Sequence, residues 1–179
     1  MATENKGYSW TSIVLHWLVA VMVIGLFASG FWMVDLSYYS TWYKTAPFWH
    51  KSVGVLLLLM MGYRLLWRVL NGTATPLASH SKAVQRASHF THLTLYGLIF
   101  LIICSGYLIS TADGRPIEVF GLFDLPSAGE LFAEQADKAG LVHEFAAYGL
   151  IALAVLHAVA ALKHHFFDKD DTLKRMLKP

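Results

Sequence analysis

Residues 143–157 read HEFAAYGLIALAVLH, an apolar run that opens and closes on a histidine. In a helix, the 14 steps between them return the second imidazole to within about 40° of the first while rising about 21 Å, most of the thickness of a bilayer core. Two metal-ligating side chains thus share one stripe near opposite faces of a membrane. The stripe runs His143, Ala147, Leu150, Ala154, His157, Ala161, His164, and its alanines leave room for flat groups.

The rest of the chain agrees with a membrane setting. Its 179 residues are 56% hydrophobic and 15% charged, with a mean hydropathy of +0.48, too apolar for an ordinary soluble domain. Four stretches are long and apolar enough to span, about 13–34, 48–70, 87–112 and 143–166, because lipid offers no partner to unpaired backbone groups. The expected fold is all-α, an integral membrane four-helix bundle forming one domain over 1–179. The longest connection, 113–142, carries Ser127 three residues before Glu130, a capping-box pattern that predicts a short surface helix over about 128–138. The first span does not read as a cleavable signal, since its flank lacks a basic cluster and its apolar run is too long.

Lysine and arginine sort unevenly between the two sides. Ten lie on the side of both termini (Lys6, Arg64, Arg68, Lys82, Arg86, Lys163, Lys169, Lys174, Arg175, Lys178) and four on the other (Lys44, Lys51, Arg115, Lys138). The positive-inside rule then puts both termini in the cytoplasm. A net charge of +2 without a basic run gives no nucleic-acid footprint. The single cysteine, Cys104, excludes a disulfide framework and a thiolate-held metal. Nine histidines remain as metal ligands.

On this topology His16 lies near the cytoplasmic end of helix one and His50 near the outer end of helix two, so each finds a partner of equal depth on helix four. His16 pairs with His157 inside and His50 with His143 outside. Four imidazoles so placed fit two six-coordinate, stacked haems. Gly30 falls 14 residues after His16 and Gly54 one turn after His50, both read as clearance for a macrocycle. Arg64, 14 residues after His50, reaches the inner haem's depth as a cation for propionates. His89, His92 and Tyr96 share a cytoplasmic-side face of helix three. His92 and His164 are read as quinone or propionate partners, and His80 and His165 as ordinary surface residues. Lys51, Arg115 and Lys44 are the cations nearest the outer haem. Tryptophans and tyrosines such as Trp32, Trp42, Trp49, Tyr63 and Trp67 fit an interfacial belt.

These residues carry a resemblance to the bacterial cytochrome b561 family, small four-helix dihaem quinone reductases that include a superoxide:ubiquinone oxidoreductase. The matching pieces are Leu15-His16-Trp17, His50-Lys51-Ser52-Val53-Gly54, Arg64-Leu65-Leu66-Trp67-Arg68, the run from His89 through His92 to Tyr96, His143-Glu144, His157, His164-His165 and Lys169-Asp170-Asp171-Thr172-Leu173. The resemblance implies His16, His50, His143 and His157 as axial ligands, two haem b as cofactors, and ubiquinone as electron acceptor in the bacterial inner membrane.

Bis-histidine ligation closes both faces of iron, so electrons enter and leave at the haem edge. The favoured activity is superoxide oxidation on the outer side, with Lys51 and Arg115 guiding the anion, coupled to ubiquinone reduction on the inner side. The outward segments oppose steering at long range, because eight acids against four cations give a formal balance of −4. The alternative is a haem relay subunit that wires a dehydrogenase or hydrogenase partner to quinone. A haem-free scaffold leaves the paired depths unexplained, and ascorbate or a small periplasmic electron carrier would serve equally as the one-electron donor.

Overall fold

The computed structural model describes residues 7–179; Lys6, counted above among the cytoplasmic cations, lies outside them. Four helices dominate: α1 (Trp10–Met33), α2 (Thr45–Asn71), α3 (Lys82–Thr111) and α4 (Gln135–Phe166). All four are long and apolar enough to cross a bilayer, and they form the membrane four-helix bundle expected. The local signals are ordinary ones. Ser9 caps α1 by accepting from the Ser12 amide at 3.3 Å, and Ser81 caps α3 by accepting from the Val84 amide at 3.3 Å. Gly72, at φ 75°, takes the chain out of α2 in a conformation that a side chain would resist.

Helix α1 packs chiefly on α2, and α3 on α4. Val19, Leu57, Met61, Ile99 and Leu150 form the buried core. They lie midway along the helices, between the level of His16 and His157 and the level of His50 and His143. Outward faces carry exposed apolar residues such as Leu18, Val21, Ile24, Val155, Leu156 and Val159, which suits helices solvated by lipid tails.

The connection after α3 differs from expectation. Residues 128–134 form no helix, and the helix that includes 135–138 is the start of α4. Gly129 (φ 71°) and Glu134 (φ 59°) turn left-handed and interrupt any helix between them. Ser127 makes a local turn, its Oγ accepting from the Gly129 amide at 2.9 Å. Gln135, 1% exposed, ties this segment down by donating to the carbonyls of Leu108 and Gly129 and accepting from the Leu131 amide at 2.7 Å.

The same connection contains an antiparallel hairpin, β1 (Ile117–Val119) and β2 (Phe123–Leu125), with Ile117 opposite Leu125. Phe120 (φ 52°) and Gly121 (φ 70°) turn it, and the Leu122 amide closes the turn on the Val119 carbonyl at 2.9 Å. Ile117 and Val119 are buried. Ser52, on α2 just past His50, is fully buried under the hairpin: its Oγ donates to the Glu118 carbonyl (3.4 Å) and accepts from the Phe120 amide (3.0 Å). At the opposite end both terminal segments meet, where Trp17 Nε1 donates to the Met176 carbonyl at 2.7 Å. The two ends are called below the hairpin end and the terminal end.

Candidate haem and electron-entry sites

Helix pairing brings the four histidines together two by two. The ring centres of His50 and His143 are 6.3 Å apart at the hairpin end, and those of His16 and His157 are 6.3 Å apart at the terminal end. Imidazoles on opposite sides of one metal, with metal–nitrogen bonds of about 2.0 Å and about 1.1 Å more to each ring centre, stand about 6.2 Å apart. Both pairs match that span. His92 also faces His157, with a centre separation of 5.3 Å, too short for a trans pair on one metal. It stands beside the His16–His157 pair at the terminal end.

At the hairpin end the protonation pattern follows by elimination. His143 Nδ1 lies 2.9 Å from the Ile102 carbonyl, which only accepts, so Nδ1 carries the proton. Ser29 spends its hydroxyl proton on the Leu26 carbonyl at 3.0 Å, so its oxygen accepts from His50 Nδ1 at 3.0 Å. Ser105 Oγ likewise donates to the Leu101 carbonyl at 2.8 Å and lies 3.2 Å from His143 Nδ1. As neutral rings both imidazoles therefore present an unprotonated Nε2, the form that binds iron, with the other nitrogen oriented by a hydrogen bond. These residues fit a bis-histidine haem.

The terminal end is built around Arg64. Its Nε donates to Tyr96 Oη at 2.8 Å, its Nη2 approaches His16 Nδ1 at 3.3 Å, and its buried Nη1 has no hydrogen-bond partner among the described residues. Arg64 and Arg68 both lie about 6 Å from the Tyr96 ring. A buried guanidinium nitrogen without an acceptor is costly, and a haem propionate would supply one. The pattern at His16 is the reverse of the other pair, because a guanidinium only donates and Nδ1 must accept here. Iron binding through His16 Nε2 thus requires Arg64 to release Nδ1.

The glycines are placed as follows. A Cβ on Gly30 would stand 3.2 Å from His50 Cε1, so this glycine clears the imidazole itself. A Cβ on Gly54 would meet nothing within 4 Å. Gly106, not singled out in the sequence, lies against His143, where a Cβ would stand 3.1 Å from Cε1 and 3.3 Å from Nδ1. Its place 14 residues after His92, the spacing by which Gly30 follows His16, is the sequence signal for it.

Lys51 and Arg115 share a cavity of about 230 Å³ at the hairpin end, also lined by Phe48, Asp113 and Glu118. Lys44 does not line it. The Asp113 carboxylate accepts from the Arg115 side chain and backbone amide. That pairing holds Asp113 below the usual carboxylate range and raises Arg115. Lys51 has no ion pair among the described residues.

His164 lies beside His80, with ring centres 4.7 Å apart. His80 is half-buried and pairs with Asp170 at 2.8 Å, so it is not the plain surface residue the sequence suggested. Burial pushes the Asp170 carboxyl up, but hydrogen bonds from Thr172 and His80 outweigh it and hold the group at about 2.

Comparison with known proteins agrees with this architecture. The family model for prokaryotic cytochrome b561 matches residues 7–179. The chain is 52% identical to cytochrome b561 homolog 2 of Escherichia coli (strain K12), over 95% of this chain and 90% of the relative. It is 31% identical to the probable superoxide oxidase CybB of Yersinia pestis, over 97% of each. Cytochrome b562 of Cereibacter sphaeroides is 28% identical over 99% of each. The chain belongs to the prokaryotic cytochrome b561 family, whose members are multi-pass membrane electron-transfer proteins holding b-type haem.

Proposed function

We propose that this protein is a dihaem superoxide:ubiquinone oxidoreductase of the bacterial inner membrane, with both termini in the cytoplasm. The balanced reaction takes one electron from each of two superoxide anions, releasing two molecules of dioxygen, and adds two electrons and two protons to one ubiquinone. When bound, the two haems supply reversible one-electron chemistry and the path between the sides. His50 and His143 hold one haem, and His16 and His157 the other. Arg64 neutralises propionate charge at the terminal end, where Tyr96 and His92 stand ready to hydrogen-bond a quinone.

The observation that carries this reading is the junction at the hairpin end. An imidazole pair with both Nε2 atoms unprotonated adjoins, through consecutive residues His50 and Lys51, a cavity open to a small anion. The name of the 31% identical relative points the same way. One feature favours the alternative relay reading: Asp113 and Glu118 offset Lys51 and Arg115 inside the cavity, which weakens attraction for an anion. A relay subunit would copurify with a large dehydrogenase or hydrogenase partner.

Pyridine haemochrome assay of the purified protein should find two b haems per chain, and His143→Ala should remove one while sparing most of the other. Stopped-flow mixing with superoxide then separates the readings. Rapid haem reduction, followed by reoxidation on adding quinone, is expected of the oxidase. Haem bands that superoxide leaves oxidised would reject it in favour of the relay.

A further inference from the structure

The terminal end holds a second cluster, which includes His164, expected from the sequence beside quinone or propionate, and which the haem ligands do not enter. We propose that His80, His164, Asp168 and Asp170 form a divalent transition-metal site of the zinc type, which staples the α2–α3 loop to the segment following α4.

One ligand atom each from His80, His164 and Asp170 lie mutually within 4.8 Å. His80 Nε2 is 2.8 Å from Asp170 Oδ2, and His164 Nδ1 is 3.6 Å from the same oxygen and 2.7 Å from Asp168 Oδ2. Tetrahedral zinc with bonds of about 2.0 Å sets its ligands about 3.3 Å apart. These three separations bracket that value, and the ligand atoms of His80, His164 and Asp170 need only small shifts to admit an ion, whereas Asp168, outside their mutual 4.8 Å group, swings in from His164 as the fourth ligand. Two imidazoles and two carboxylates form a donor set that suits Zn²⁺.

The backbone is arranged to aim these groups. Lys169 is left-handed (φ 55°) and the Asp170 amide donates to the His164 carbonyl at 3.1 Å, folding both aspartates back over the last turn of α4. The Thr172 amide holds Asp170 Oδ1 at 2.8 Å and leaves Oδ2 to the histidines, the outer support that metal-binding carboxylates ordinarily receive. His164 Nδ1 is buried without an aligned hydrogen bond among the described residues, although two carboxylates stand near it. An ion between them would satisfy that nitrogen and neutralise both aspartates, of which only Asp168 has a lysine partner among the described residues, Lys163 at 2.7 Å.

The test uses haem-loaded protein in detergent, purified without a histidine tag and stripped with chelator, then titrated with Zn²⁺ against a chromophoric zinc indicator. One zinc per chain is expected, bound at least tenfold more weakly by Asp170→Asn and by His80→Gln. His165→Gln and His89→Gln should retain the affinity of the parent. Unchanged haem bands verify that each variant is folded; should one lose them, the other decides, because the two residues lie on separate segments. Absence of zinc binding, or equal affinity in the parent and the folded site variants, would overturn the proposal and leave a plain hydrogen-bonded cluster.

Discussion

His50 and His143 face each other across the bundle, each with its Nδ1 proton committed to an acceptor on a neighbouring helix, Ser29 in one case and Ile102 in the other. The two commitments differ in redundancy. His143 has Ser105 Oγ as a second oxygen near Nδ1, whereas Ser29 Oγ is the acceptor for His50. A hydrogen bond from the distal nitrogen makes an imidazole a stronger donor to iron and favours the oxidised state. Ser29→Ala should therefore raise the potential of the haem at the hairpin end by on the order of 40 mV, the equivalent of one net hydrogen bond of about 1 kcal/mol. Ser105→Ala should move it far less. Redox titration of both variants checks this, and equal shifts would contradict the difference in redundancy.

Gly106 gives a steric prediction for the same end. A methyl group there sits 3.1 Å from His143 Cε1, tight enough that the imidazole must yield by a few tenths of an ångström. Gly106→Ala should alter the low-spin electron paramagnetic resonance signal of that haem, and Gly106→Val should reduce its occupancy by half or more. Gly54→Ala, where an added Cβ meets no protein atom within 4 Å, separates contact with the imidazole from contact with a bound group. If Gly54→Ala alone lowers haem content, the surface near Gly54 faces the porphyrin.

How much of this was legible follows from the range of each signal. Spans depend on hydropathy and helical periodicity, which are local, and the same periodicity predicts that His16 meets His157 and His50 meets His143, whose rings the fold brings to 6.3 Å. Helix ends were less legible: α4 begins at Gln135, well before the apolar run, because a helix continues in water past the lipid boundary once its side chains find partners such as Leu108 and Gly129. The hairpin was missed. Its strands are three residues each, too short for alternation to register, and its anchor Ser52 belongs to another helix. The His80–His164–Asp170 cluster joins groups 90 residues apart, a distance that spacing along one chain does not report.

The cavity at the hairpin end yields a prediction about charge. Arg115 is tied to Asp113, so part of its attraction for an anion is cancelled where it stands. Asp113→Asn should release Arg115 and raise the second-order rate of haem reduction by superoxide several-fold at low salt, while Lys51→Glu should lower it about tenfold. Both differences should shrink as ionic strength rises, because the charges are exposed to screening. Stopped-flow rates at several salt concentrations measure this. Rates indifferent to all of these changes would place electron entry elsewhere on the protein.

Arg64 separates two roles at the terminal end. Its Nε is satisfied by Tyr96, its Nη2 approaches His16, and its Nη1 is buried without a partner among the described residues. If the guanidinium serves to hold Tyr96, then Tyr96→Phe should harm the protein as much as Arg64→Leu. If it serves as the cation for a haem carboxylate, Arg64→Leu should lose most of the haem at this end, Arg64→Lys should keep it in part, and Tyr96→Phe should retain it. The orphaned nitrogen favours the second outcome, since a protein that needed only the tyrosine contact would have no reason to bury a charge beyond it. Haem content and the reduced absorption spectrum of the three variants, compared with the haem proposed for the hairpin end as internal standard, distinguish the two.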